Sequence, residues 1–360
     1  MNRKRILALA FVSLLLFFAA CGGAEVEEEP TQTPEATSTP GPIEPSDPPE
    51  PSELEGYRNP LTGEPTVADI SGMRPWAVVY NNIRVALPQN GIGQADMIYE
   101  MPVEGGITRI VALFQNIEGV GEFGPVRSAR HYFTDIVLAH DAIFVNAGGS
   151  QQAYDAIRIR GVDNIDGVAG SGREFYRDQE RSRRAGLEHS MMTTDELLLA
   201  HIDSYGYRRE HNSGFQTGLA FREDGTPGDG QSAYTVSVRF SNVKTGVFDF
   251  DAATGLYRVS QYGEPHIDGV TEEQLTVANV LVLLANFWVI DDVGRLDVDF
   301  DRGGEGYFIS GGQAVPIRWS KGGHDAPFIY TLADGSPIEL GVGRSYVNIV
   351  NMNTGEVTFS

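Results

Sequence analysis

Cysteine occurs once in 360 residues, at Cys21. No intramolecular disulfide can form, so the folded body must rest on its core alone. Lysine is nearly as scarce: of 27 basic residues, three are Lys (4, 244 and 321) and the other 24 are Arg. Acidic residues number 49, and the formal net charge is -22. So acidic a chain excludes a nucleic-acid partner from the expectation. Beyond residue 20 no apolar run approaches the ~20 residues of a membrane-spanning helix. Familiar chemical signatures are missing as well. Lys244 and Lys321 have no glycine frame of the phosphate-cradling kind, and no G-x-S-x-G is present. The seven His are scattered, without an H-E-x-x-H pair, so no metal ion is expected as a cofactor on local spacing. GVGEFG (119–124) is a literal G-x-G-x-x-G, yet Pro125 follows at once, and the segment reads as a glycine-rich strand-to-helix loop. DVDFD (297–301) sets three carboxylates on one strand face with Val298 and Phe300 opposite, the pattern of a solvated face. DFDAATG (249–255) lacks the spacing of a calcium loop.

What is present begins at the N-terminus. Arg3, Lys4 and Arg5 precede an apolar run from Ile6 to Ala20, broken by Ser13 alone. This is the pattern of a secretory signal, expected over residues 1–20. Two small residues then precede Cys21, which resembles the site where bacterial lipoproteins are acylated. The expectation is a lipid anchor at Cys21 and a protein held at the extracytoplasmic face of the cell membrane. Residues 22–56 contain ten Asp or Glu, eight Pro and no basic residue. Such a composition cannot bury enough apolar surface to fold, so 21–56 read as a disordered tether reaching at most about 100 Å.

Two folded regions are expected after the tether. Residues 57–212 interleave strands and helices, an α/β layered pattern. WAVVYNN (76–82), ADMIYEMPV (95–103), GITRIVALFQN (106–116) and DAIFVNAGG (141–149) read as strands. A helix is expected over 128–139, another from Ser150 as its cap through 159, and a third from Thr193 or Thr194 to a stop at Gly206. A glycine-rich linker, 213–232, leads to 233–360, where alternating patterns predict a mainly antiparallel β unit. Hairpins are expected over 246–261, around Gly311-Gly312 and around Asp334-Gly335, with a long buried strand at 277–290. The overall class is α+β, or α/β followed by β.

Arginine supplies the candidate site. Residues 124–184 hold nine Arg against eight Asp or Glu, a near-neutral stretch in a strongly acidic molecule. GPVRSARHYF (124–133) places Arg127 and Arg130 at the start of the expected helix, where cations are disfavoured by a few tenths to about 1 kcal/mol each. A bound anion reverses that sign, because helix N-termini and guanidinium forks both favour phosphate or carboxylate. Ser128 adds a hydroxyl. Arg109, Arg177 and Arg181, with Gly148, Gly149 and Ser150 at the next helix start, complete the anion-binding set. The competing reading is internal pairing, for which Glu100, Glu104 and Asp96 are available partners. Both hold if Glu104 orients an arginine for a ligand.

Several of these segments occur in an order that resembles the YerB-like lipoproteins, a bacterial family of unknown function. They are NPLTGEP (59–65), RPWAVVYNN (74–82), PQNGIGQADMIYE (88–100), VEGGITR (103–109), GPVRSARHYF, DAIFVNAGGS (141–150), TGLYRVSQYGEPH (254–266) and VIDDVGRLDVD (289–299). The resemblance implies a membrane-anchored lipoprotein with an N-terminal α/β and a C-terminal β-rich domain, and no defined activity. Family members often carry His where Asn146 stands, and Ala-Pro-His-Asn where this chain has RRAGLEHSMMTT (183–194). His189 is then the equivalent candidate for an orienting or acid–base role.

Two functions follow. In the first, the α/β region binds an anionic envelope ligand, such as a cell-wall or phosphate-containing glycan, or an acidic loop of an envelope protein partner. In the second, the chain is an envelope enzyme acting on phosphate-containing, lipid-linked glycopolymers. Its order of arginine segment, strand, GGSQQA and YRDQERSRR is similar to that of LytR-CpsA-Psr phosphotransferases. That reading requires a divalent metal on Asp178, Glu180 or Asp141.

Overall fold

WAVVYNN carries no polar/apolar alternation in its first five residues, and the computed structural model explains why: this strand is buried on both faces. The structure describes residues 56–360, and all of them fall in one compact unit. The expected signal, the lipidated Cys21 and nearly all of the tether lie outside the described residues.

The N-terminal region contributes β1 (Trp76–Asn82), β2 (Met97–Pro102), β3 (Thr108–Phe114), β4 (Ile143–Asn146) and β5 (Asn164–Asp166). The C-terminal region contributes β6 (Thr235–Ser241), β7 (Lys244–Asp251), β8 (Leu256–Gln261), β9 (Asn279–Val289), β10 (Gly304–Ser310), β11 (Gln313–Lys321), β12 (Ser345–Asn351) and β13 (Glu356–Phe359). The helices are α1 (Phe133–Ala139), α2 (Gln151–Arg160), α3 (Gln179–Ala185) and α4 (Asp195–His201).

The two regions do not build separate sheets. A single twelve-stranded sheet runs β11-β10-β9-β12-β2-β3-β1-β4-β5 along its main path, with short strands at its margins. The junction is β12, which pairs in parallel with β9 on one side and with β2 on the other; Ser345 faces both Asn279 and Met97. The expectation of a self-contained α/β unit followed by a mainly antiparallel one is therefore corrected at this seam, where long-range pairing decides the arrangement. A second sheet, β8-β7-β6-β13 along its core, is antiparallel as expected.

Strand periodicity sorts the core. Ala77 and Val79 of β1, with Tyr99, Val111, Leu283 and Val347, pack on one face beneath Phe133, Ile136 and Val137 of α1 and Ala153 of α2. Val78 and Tyr80, with Ile98, Ile110, Val282 and Tyr346, pack on the other face with Val236, Phe248 and Tyr257 of the second sheet. Each such buried side chain contributes about 1.5–3 kcal/mol.

Local signals are realised where they are local. Ser150 caps α2, its hydroxyl accepting from the Ala153 N–H at 3.2 Å, and Thr194 caps α4 through the Leu197 N–H at 3.1 Å. The expected helix over 128–139 is shorter: α1 begins at Phe133. Residues 127–129 are instead drawn into extended pairing. The Arg127 N–H donates to the Val79 carbonyl at 2.8 Å, the Ala147 N–H to the Arg127 carbonyl at 3.1 Å, and the Ala129 N–H to the Gly148 carbonyl at 2.9 Å. Arg127 and Arg130 thus precede the helix, and the argument from a helix N-terminus does not apply to them.

Candidate functional site

This extended segment sets the site. It runs between the end of β1 and the turn after β4, so Arg127 and Ser128 lie beside Gly148 and Gly149. Gly148 takes a left-handed conformation (φ +75°), which suits glycine. Its N–H donates to Asp166 Oδ1 at 2.8 Å, which pins the turn to the end of β5. Together Arg127, Ser128, Gly148, Gly149 and Arg177 line one open cleft of about 370 Å³, with Tyr154, Val126, Val168, Leu187, Glu188 and Met191.

Arg127 is half-buried, and its guanidinium has no hydrogen bond or ion pair with any described residue. Burial pushes its pKa down, as do Arg130 and Arg177, against the opposing field of Glu188 and Glu104. Arg177 donates through Nη1 to the Leu187 carbonyl. Ser128 Oγ donates to the Ala147 carbonyl at 3.1 Å, so its proton is already engaged.

Arg109 and Arg130 stand behind this wall, both buried. Glu104 joins them. It accepts from Arg130 through Nε at 2.9 Å and also from Nη2, and lies 3.7 Å from Arg109 Nη2. Arg109 Nη1 donates to the Ser128 carbonyl at 2.8 Å, and Arg130 Nη1 to the Ala129 carbonyl at 2.7 Å. Burial, then the charge of Arg130, pushes Arg109 down to about 9. Burial would raise Glu104, but the Arg130 hydrogen bonds and the two guanidinium charges outweigh it and hold the carboxyl below its usual range. This triad fixes the backbone that carries Arg127 and Ser128.

Other expected members stand elsewhere. Arg181 turns away from the cleft and binds the Ala86 and Pro88 carbonyls and Asn90 Oδ1, at 3.1, 2.8 and 2.6 Å. Ser150 spends its hydroxyl oxygen on the α2 cap. His189 is buried behind Glu188, its Nδ1 2.7 Å from Asn81 Nδ2, and burial followed by Arg127 pushes its pKa down. The carboxylates named as metal ligands are engaged or remote. Asp178 caps α3, Glu180 follows it on that helix's first turn, and Asp141 pairs with Arg74, Arg208 and His211. Among the described residues no three His, Cys, Asp or Glu side chains stand close enough to hold a metal ion.

Tyr154 and Glu188 were not expected at the site. Tyr154 follows Ser150 by one helical turn, a spacing that points to it once the cap is known. Nothing local marks Glu188. A larger cleft of about 630 Å³, lined by Arg74, Arg160, Arg208, Asp141, Asp163 and His324, has each of its three arginines tied to an aspartate. It offers a guest no unpaired guanidinium.

Residues 61–208 match the family model described as Protein of unknown function (DUF3048) N-terminal domain, and 236–347 match its C-terminal domain. The chain belongs to the DUF3048 family. It is 30% identical over 307 residues, 83% of this chain and 88% of the other, to YerB of Bacillus subtilis (strain 168), which is named as a candidate lipoprotein. The crystal structure of Bacillus subtilis YerB superposes with a TM-score of 0.74 at 27% identity, covering 84% of this chain and 99% of that one. The cleft of this DUF3048 protein lies wholly within the N-terminal match, whereas its sheet draws on both matches.

Proposed function

We propose that this protein is a lipoprotein anchored through Cys21 at the extracytoplasmic face of the membrane, and that it holds an anionic, phosphate-bearing envelope ligand in the Arg127–Arg177 cleft. The observation that carries the reading is Arg127. A half-buried guanidinium with no hydrogen bond or ion pair among the described residues has only the fields of Glu188 and Glu104 to offset its lost solvation, a deficit that a guest anion removes. Arg177 on the same wall supplies a second fork, and two guanidiniums match the oxygens of a phosphate or pyrophosphate. Tyr154 and the apolar residues around it supply a surface for the uncharged part of the ligand. The lipid anchor is supported by the signal pattern ending at Cys21 and by the likeness to a candidate lipoprotein.

Calorimetric titration of the full chain in detergent with inorganic pyrophosphate tests the site. Loss of a charged hydrogen-bond donor weakens binding about tenfold to a hundredfold, so Arg127→Ala and Arg177→Ala should each do so. Arg181→Ala, whose guanidinium serves the 86–90 loop, should leave the affinity unchanged. Equal affinity in the wild type and Arg127→Ala would remove the basis of the proposal.

A further inference from the structure

The turn that follows α3 contacts Arg177 and lines the same cleft as Arg127. Its Leu187 carbonyl accepts from Arg177 Nη1, and Glu188, the next residue, is the carboxylate whose field most favours the Arg127 charge. Glu188 lines the cleft, and its side chain is 58% exposed, so no packing holds it there. Its nearest charged partner is His189 Nε2, at 3.5 Å from Oε1. Burial disfavours the charged form of that imidazole. Gly186, immediately before the turn, has φ +103°, a conformation that side chains rarely adopt.

We propose that the Leu187–Glu188 turn is a built-in surrogate for the guest: a carbonyl and a carboxylate of the protein occupy the field of Arg177 and Arg127, and a phosphate-bearing ligand must displace them to bind. The proposal rests on the arginine-cleft reading and adds a regulatory residue to it. The carboxylate keeps the two guanidiniums from repelling each other when the cleft holds no ligand. It also sets a threshold. A guest carrying one negative charge exchanges one carboxylate for another, whereas a phosphate or pyrophosphate with two or more charges gains on the exchange. Because the Glu188 side chain is exposed, its replacement by Gln removes the competing charge and leaves the fold intact.

Titration of the full chain in detergent with inorganic pyrophosphate at low ionic strength, in the wild type, Glu188→Gln and Arg127→Ala, reads both levels. The expected result is about tenfold tighter binding by Glu188→Gln, a gain that shrinks as salt is added, and weakened binding by Arg127→Ala. Unchanged or weaker binding by Glu188→Gln, with Arg127→Ala still impaired, overturns the surrogate and leaves the arginine site standing. Arg127→Ala binding like the wild type, or no heat in any of the three, overturns the site and the surrogate with it. A thermal melt of Glu188→Gln coincident with the wild type shows that any affinity change is not a folding defect.

Discussion

Lys244→Met should cost this protein about 3–5 kcal/mol of folding free energy, the loss expected when one partner of a buried ion pair is removed. Lys244, at the start of β7, and Glu100, on β2, each have side chains 1% exposed, and Nζ stands 3.0 Å from Oε1. Glu100 also accepts from Asn82 Nδ2 at 2.8 Å, Thr108 Oγ1 at 2.5 Å and the Tyr346 hydroxyl at 2.6 Å. These four donors come from β1, β3, β7 and β12, so a single carboxylate ties the second sheet to the large one at the seam between the two sequence regions. Without the lysine, the buried Glu100 carboxylate keeps three neutral donors and loses its counter-ion. Against a typical total of about 5–15 kcal/mol the loss is severe but measurable. Urea unfolding at pH 7, followed by tryptophan fluorescence, should show a lowered midpoint with an unchanged slope. The double variant Lys244→Met/Glu100→Gln keeps an acceptor for the neighbours and removes the stranded charge, so it should be more stable than Lys244→Met. A Lys244→Met loss below about 1 kcal/mol, or a double variant no better than the single, would refute the reasoning.

Two further outcomes are expected. His140, whose Nε2 lies 2.8 Å from the Tyr99 hydroxyl, and His266 are both fully buried, and burial pushes each imidazole down to about 3. An unfolded chain binds those protons near pH 6.5, so the stability these groups contribute is complete above that pH and is lost as pH falls toward 3. The loss is roughly 1 kcal/mol per pH unit for each histidine. Urea midpoints measured from pH 7 to pH 4 check this, and a flat profile contradicts it; His140→Gln should be less acid-sensitive than the wild type. For the anchor, Cys21→Ser should move the protein from the membrane fraction to the soluble fraction on cell fractionation, and unchanged membrane association would count against acylation there.

The elements legible in the sequence are those whose cause lies within a few residues. Ser150 and Thr194 satisfy N–H groups three positions on, and the Gly311-Gly312 turn joins β10 to β11 because both glycines take positive φ. Where the cause is remote, the reading fails. Residues 128–132 have helical composition, but the partners that hold 127–129 extended are at Val79, Ala147 and Gly148. Number and position single out the arginines as a group, and Arg127 and Arg177 share a cleft with Ser128, Gly148 and Gly149. Nothing in the order of residues separates them from Arg181, which is drawn off by carbonyls near residue 88, or from Arg130, which is neutralised by Glu104. Lys244 lacks a glycine frame, and its partner is 144 positions earlier in the chain.

The placement of β12 has a consequence for the order in which the protein can mature. As the polypeptide emerges from its N-terminus, β2 finds β3 within a dozen residues, but its other edge remains bare until Ser345–Asn351 arrive. For most of its biogenesis the N-terminal region therefore presents an unpaired strand edge, the kind of surface on which nascent chains associate with one another. A ribosome that stops short of residue 345 releases a product that cannot close its main sheet, however complete its arginine cleft.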